Sequence, residues 1–271
     1  MKRSFAVALV FVFLACFAPD VNAGPAAYAT ALDSNLYTVD LVTAKTTLIG
    51  STGATNADGL LQGLALSPTG QLFATDATGR LYRLDQATAA TTLIGATGRG
   101  DIEGLDFNGS TLLGVTFDVQ PTVFSIDTVT GATTTIVTAS ARTGSVRAMT
   151  VLDANTILIS ADGPNPNTLY SLNLMTGAVQ TIGTLDVHGS QFAAMDFLGN
   201  HKLYGLDNDG TTWQIDPRTA DVKLLRDTGS IFFLDMTGAS AHVPVPEPST
   251  LLLLGSGLVG LGGVAWKRWR N

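Results

Sequence analysis

The sequence predicts an all-β chain, a five-bladed β-propeller of four-stranded repeats, flanked by an N-terminal signal peptide and a C-terminal transmembrane helix. Three observations carry that reading: a five-residue pattern that recurs at steps of 45, 42, 46 and 43 residues, the lack of any sustained helical period between residues 24 and 246, and two apolar stretches confined to the ends. With 271 residues, 45% of them hydrophobic and 14% charged, the chain is too apolar for disorder and long enough for a sizeable core.

The N-terminal element comes first. Met1-Lys2-Arg3 precedes an apolar run from Phe5 to Ala18, and Val21-Asn22-Ala23 offers small side chains where signal peptidase reads them. Cleavage is expected after Ala23. A lipoprotein signal would use Cys16, but Phe13-Leu14-Ala15-Cys16 lacks the usual order of Leu and small residues before the cysteine. Because Cys16 is the sole cysteine, the processed chain would hold no thiol, which removes disulfides, cysteine nucleophiles and thiolate metal sites together. That fits an oxidising compartment.

The repeats occupy residues 24–240. The aromatic pattern reads Leu36-Tyr37-Thr38-Val39-Asp40, Leu81-Tyr82-Arg83-Leu84-Asp85, Val123-Phe124-Ser125-Ile126-Asp127, Leu169-Tyr170-Ser171-Leu172-Asn173 and Thr212-Trp213-Gln214-Ile215-Asp216. A second pattern follows each: Gly63-Leu64-Ala65-Leu66, Gly104-Leu105-Asp106-Phe107, Ala148-Met149-Thr150-Val151, Ala194-Met195-Asp196-Phe197 and Phe233-Leu234-Asp235-Met236. Before the aromatic strand stands an apolar strand such as Leu72 to Thr75, and after it a turn and a β-branched run such as Thr91-Thr92-Leu93-Ile94-Gly95. Four short strands per roughly 40 to 46 residues is propeller spacing, and a ring of such sheets buries faces that one sheet alone leaves wet. Blades are expected at about 26–70, 71–110, 111–154, 155–200 and 201–240, with the Tyr28 to Ala31 strand innermost in the first, so that closure borrows nothing from the far end. An open β-solenoid or a larger propeller are the alternatives.

Residues 241–250 form a Pro-rich linker, 251–266 an uncharged stretch and 267–271 a basic end. Closely spaced prolines keep Pro244 to Pro248 extended and open to an enzyme cleft. As a helix, the 16 uncharged residues would span about 24 Å at ~1.5 Å per residue, with Trp266 and the basic cluster at the inner interface. This tripartite tail resembles the PEP-CTERM sorting signal through Pro246-Glu247-Pro248, the short apolar helix, and Lys267, Arg268 and Arg270. The resemblance implies an exosortase as partner, a Gram-negative exporter that also makes exopolysaccharide, and an inner-membrane intermediate cleaved near Glu247-Pro248 on its way to the cell surface, outer envelope or matrix. A permanent anchor is the simpler reading of the same residues.

Between the terminal signals remain ten basic and twenty acidic residues, about −10 in charge, with no basic stripe, so no nucleic-acid partner is expected. Asp40, Asp85, Asp127, Asn173 and Asp216 open turns and read as caps for amides two residues on. A second series, Asp33, Asp76, Asp118, Asp162 and Asp207, follows the innermost strand of every blade, which would gather it toward one mouth of the channel and makes Asp76, Asp118, Asp162 and Asp207 candidate Ca²⁺ ligands; Asx-type turns are the alternative. Glu103, the only glutamate outside the tail, stands at the start of a fourth strand and is either a solvated loop residue or the acid of a polysaccharide-active enzyme. His188, His201 and His242 stand singly, and Arg99-Gly100-Asp101 spells an adhesive tripeptide common by chance. The expected function is that of a non-enzymatic, exported binding or structural propeller without a cofactor, whose partners are signal peptidase, an exosortase and exopolysaccharide or another envelope component. The alternative is a secreted polysaccharide-active enzyme.

Overall fold

A computed structural model describes residues 26–53, 59–162, 167–187, 190–229 and 231–239. The chain opens with β1 (Ala26–Ala31), β2 (Asn35–Asp40) and β3 (Thr46–Ser51). Four antiparallel sheets follow, each of four consecutive strands: β4 (Leu61–Leu66), β5 (Leu72–Asp76), β6 (Arg80–Leu84) and β7 (Thr91–Ala96); β8 (Ile102–Asn108), β9 (Thr111–Thr116), β10 (Thr122–Ile126) and β11 (Thr133–Thr138); β12 (Ser145–Asp153), β13 (Thr156–Asp162), β14 (Thr168–Asn173) and β15 (Val179–Thr184); β16 (Phe192–Phe197), β17 (Leu203–Asp207), β18 (Thr211–Ile215) and β19 (Val222–Asp227). Finally β20 (Phe233–Gly238) returns to pair with β1, giving the first sheet the order β20-β1-β2-β3. Five four-stranded sheets make a five-bladed propeller.

Two expectations are corrected here. The strands packed around the axis are β4, β8, β12, β16 and β20, those of the second sequence pattern, rather than β1, β5, β9, β13 and β17. Closure does borrow from the far end, because β20 supplies the inner strand of the first blade. The physical reason lies in burial. β5 and β17 are buried at every residue, being covered by neighbouring blades on both faces, and so look central in sequence; the true inner strands place polar residues against the axis.

The core is divided among the seams. Leu36, Leu61, Leu64 and Leu72 fill the seam between the first and second blades, Phe73, Ile102, Leu112 and Phe124 the next, and three further clusters close the ring. The outer strands β3, β7, β15 and β19 are exposed at half or more of their positions and fully buried at none. Their glycines answer a packing demand: a Cβ at Gly95 would lie 2.2 Å from the Thr130 carbonyl oxygen, and one at Gly50 would lie 2.5 Å from that of Thr88. The turn that leaves one blade's aromatic strand is thus seated against the outer strand of the blade before it.

Candidate functional site

The inner strands run parallel to one another, so their N-terminal ends share one mouth of the channel. In each of β4, β8, β12 and β16 the pairing skips a residue there, at Gln62, Glu103, Arg147 and Ala193. Such bulges re-aim a side chain at the end of a ladder. Gln62 Nε2 donates to Glu103 Oε1 at 3.4 Å, Arg147 Nε to Asp162 Oδ2 at 2.7 Å, and Gln191 Nε2 to the same Asp162 oxygen at 3.2 Å. The Arg147 guanidinium lies 4.9 Å from the centre of the Phe117 ring. These contacts form a polar arc from the second blade to the fifth, in which Gln62 Oε1, Asp101 Oδ1 and Asp162 Oδ1 are buried without a hydrogen-bond partner.

Glu103 is an inner-strand residue only 9% exposed, which corrects the reading of a solvated loop. Burial, the nearby Asp101 carboxylate and, in opposition, Arg147 set its carboxyl at about 7. Burial also raises Asp101, against the pull of Arg147.

Deeper in the channel the carboxylates bind backbone across the seams. Asp106 Oδ2 accepts from Val151 N at 2.6 Å, Asp196 Oδ2 from Gly238 N at 2.7 Å, and Asp235 Oδ2 from Leu64 N at 2.6 Å. The Thr237 hydroxyl accepts from Leu66 N at 3.1 Å. A side chain on one inner strand therefore satisfies an amide of the next, where no sheet ladder exists to do so. Burial pushes all three aspartates above the ordinary carboxylate range. Asp106 and Asp196 nevertheless keep some accessible surface, whereas Asp235 is 4% exposed.

The Asp33 series does not gather. It follows the second strand of each blade, and in three blades the aromatic residue of the third strand bonds it: Tyr37 to Asp33, Tyr82 to Asp76 at 2.9 Å, and Trp213 Nε1 to Asp207 at 3.0 Å. Asp76 also accepts from the Arg80 amide, Thr78 and the Arg80 guanidinium; burial pushes it up, but these bonds hold it below the ordinary range. Asp118 meets the Gln120 amide at 3.3 Å, and Asp162 belongs to the arc. Among the described residues no three carboxylates or imidazoles converge as a metal site. The other aspartate series behaves as turn caps: Asp85 Oδ1 accepts from Ala87 N, Thr88 N and the Thr88 hydroxyl, and Asn173 repeats the arrangement in the fourth blade.

Arg99 of the Arg-Gly-Asp triplet is spread over blade three, bonded to the Thr133 and Thr135 hydroxyls and lying 5.0 Å from the Phe124 ring centre, while Asp101 sits in the mouth. His201 is exposed in a turn. His188 and His242 fall outside the described residues, as do Ala23, Pro246, Glu247, Pro248, Lys267, Arg268, Arg270 and the expected terminal helices. No described helix is long and apolar enough to cross a membrane.

Comparison with known proteins adds two findings. Residues 244–268 match the PEP-CTERM protein-sorting motif, a stretch that includes Pro246, Glu247, Pro248, Lys267 and Arg268. The fold is similar to a chain in the crystal structure of a nidogen/laminin complex, at 15% identity and a TM-score of 0.52, over 77% of this chain and 82% of that one. The WD40 β-propeller domain of Doa1 is also similar, at 14% identity and a TM-score of 0.43, over 77% and 67%. No curated protein matches. The chain carries a PEP-CTERM sorting motif beyond a five-bladed propeller, which marks it as an exported exosortase substrate with a membrane-anchored sorting intermediate in a Gram-negative bacterium.

Proposed function

We propose that the propeller is a non-catalytic binding or structural component of the cell surface or extracellular matrix, released there after exosortase acts on the tail. The observation that carries this reading is the sorting motif at residues 244–268, joined to a propeller whose inner carboxylates serve as acceptors between blades. Carboxylates spent on backbone amides are poor candidates for attack on a substrate, and exopolysaccharide or another envelope component is the partner this destination offers. The test compares full-length protein with a chain ending at His242 in the native host. The full-length propeller should be recovered with surface polysaccharide, and the shortened one should be lost to the periplasm or medium. Equal retention of both forms would refute the role of the tail.

One observation favours the second reading, a polysaccharide-active enzyme. Glu103, pushed up to about 7 by burial beside Asp101, has the raised carboxyl that glycoside hydrolysis uses as its acid opposite a second carboxyl group. Screening polysaccharides for turnover, with Glu103→Gln as control, separates the two: hydrolysis abolished by that substitution would establish the enzyme.

A further inference from the structure

The hydroxyl of Thr150, on β12, lies 3.1 Å from Asp106 Oδ2, on β8, and 3.1 Å from Asp196 Oδ1, on β16. A hydroxyl has one hydrogen to give. It can donate to one of the two oxygens; the other must bring its own proton or stand lone pair to lone pair. Donor counts decide the direction. Asp196 receives the amides of Gly238 and Phe197 and the Thr237 hydroxyl besides Thr150, whereas Asp106 receives only the amides of Val151 and Phe107. Negative charge is better held on Asp196, and the proton on Asp106 Oδ2, which donates to Thr150 Oγ1, which donates to Asp196 Oδ1. The geometry points to a single proton held between Asp106 and Asp196 through Thr150, forming a pH-sensitive latch that ties the third, fourth, fifth and first blades around the axis.

The surroundings favour that proton. Burial raises both carboxyls, and repulsion by Asp196 raises Asp106 further. Of the other inner strands, β20 presents Asp235, which Glu103 farther up β8 and Asp196 both push up; β4 presents Ala65 at this level, and the cation of β12, Arg147, acts at the mouth on Glu103 and Asp101. The accessible surface that Asp106 and Asp196 retain gives the proton a path to water. Because the folded-state values lie above those of the unfolded chain, the latch stabilises fully in acid and is lost as pH rises through the folded values. The proton then leaves to solvent and two buried carboxylates face one hydrogen; their desolvation and repulsion outweigh the firmer bonds the charged oxygens accept from Val151 N and Gly238 N, and the seams loosen.

Two measurements test this. In the wild-type propeller, hydrogen exchange of the Val151 and Gly238 amides, corrected for the intrinsic pH dependence, should lose about tenfold protection per pH unit above the folded value. Protection that stays constant from pH 6 to pH 10 would overturn the latch. Thermal melting of Asp106→Asn supplies the second arm: the wild type should lose roughly 3 °C or more relative to the variant between pH 5 and pH 10. Parallel melting curves over that range would equally refute it.

Discussion

Glu103→Gln should make the propeller more stable in mild alkali while changing little in acid. The carboxyl of Glu103 stands at about 7 against 4.5 for an unhindered one, chiefly because burial disfavours its charge and Asp101 repels it. A separation of that size corresponds to roughly 3 kcal/mol between the two protonation states. Since the folded value is the higher one, that stability is present below about pH 4.5 and is lost as pH rises past 7. Gln keeps the shape and cannot ionise, so wild type and variant should unfold alike near pH 4, and the variant should gain up to about 3 kcal/mol by pH 9, roughly 6–12 °C in melting temperature for a domain of this size. Urea or thermal unfolding of the isolated propeller at several pH values reads this directly. Parallel pH profiles for the two proteins would refute the placement of Glu103 in a poorly solvated, electrostatically unfavourable mouth.

Further predictions concern the ring. Gly95→Ala should destabilise the fold by roughly 1–3 kcal/mol in chemical denaturation, because the new Cβ meets the Thr130 carbonyl oxygen and one blade must shift from the next. A chain ending at Gly229 loses β20, leaves β1 without its inner neighbour and opens the ring, so limited proteolysis should degrade it where the full propeller resists. Asp127 is held below the ordinary carboxylate range by the amides of Val129 and Thr130 and the Thr130 hydroxyl, so its contribution is present above the unfolded value and lost as pH falls through the folded one. Asp127→Asn, which copies Asn173, should keep the turn and weaken the acid dependence seen in melting at pH 2 to 5.

Much of this architecture is legible in the sequence, since strand periodicity and the spacing of Tyr37, Tyr82, Phe124, Tyr170 and Trp213 report one aromatic strand per blade. The radial order was not legible, because burial from both sides makes β5 and β17 more apolar than the strands lining the axis. The last repeat misleads in another way. Pairing of Asp235 with Thr30 matches that of Gly63 with Thr75, so Asp235 stands where the other blades have Gly or Ala, and the Phe233-Leu234-Asp235-Met236 pattern is two residues out of step. The carboxyl arc at the mouth depends on bulges at Gln62, Glu103 and Arg147, and a bulge leaves no mark in hydrophobic periodicity. What could have been noticed is that Asp33, Asp76 and Asp207 each precede, by four to six residues, an aromatic side chain able to donate a hydrogen bond. The partner of each carboxylate was in its own blade.

This chain is an exported propeller that carries a PEP-CTERM sorting motif, and the intact mass of the protein in each cell fraction reports the sorting. The protein would be isolated from the inner membrane, outer membrane and medium of its native host and weighed. A surface or medium species beginning near Gly24 and ending near Pro246 to Pro248 is the predicted result. A single species retaining residues 244–271, confined to the inner membrane, would contradict it.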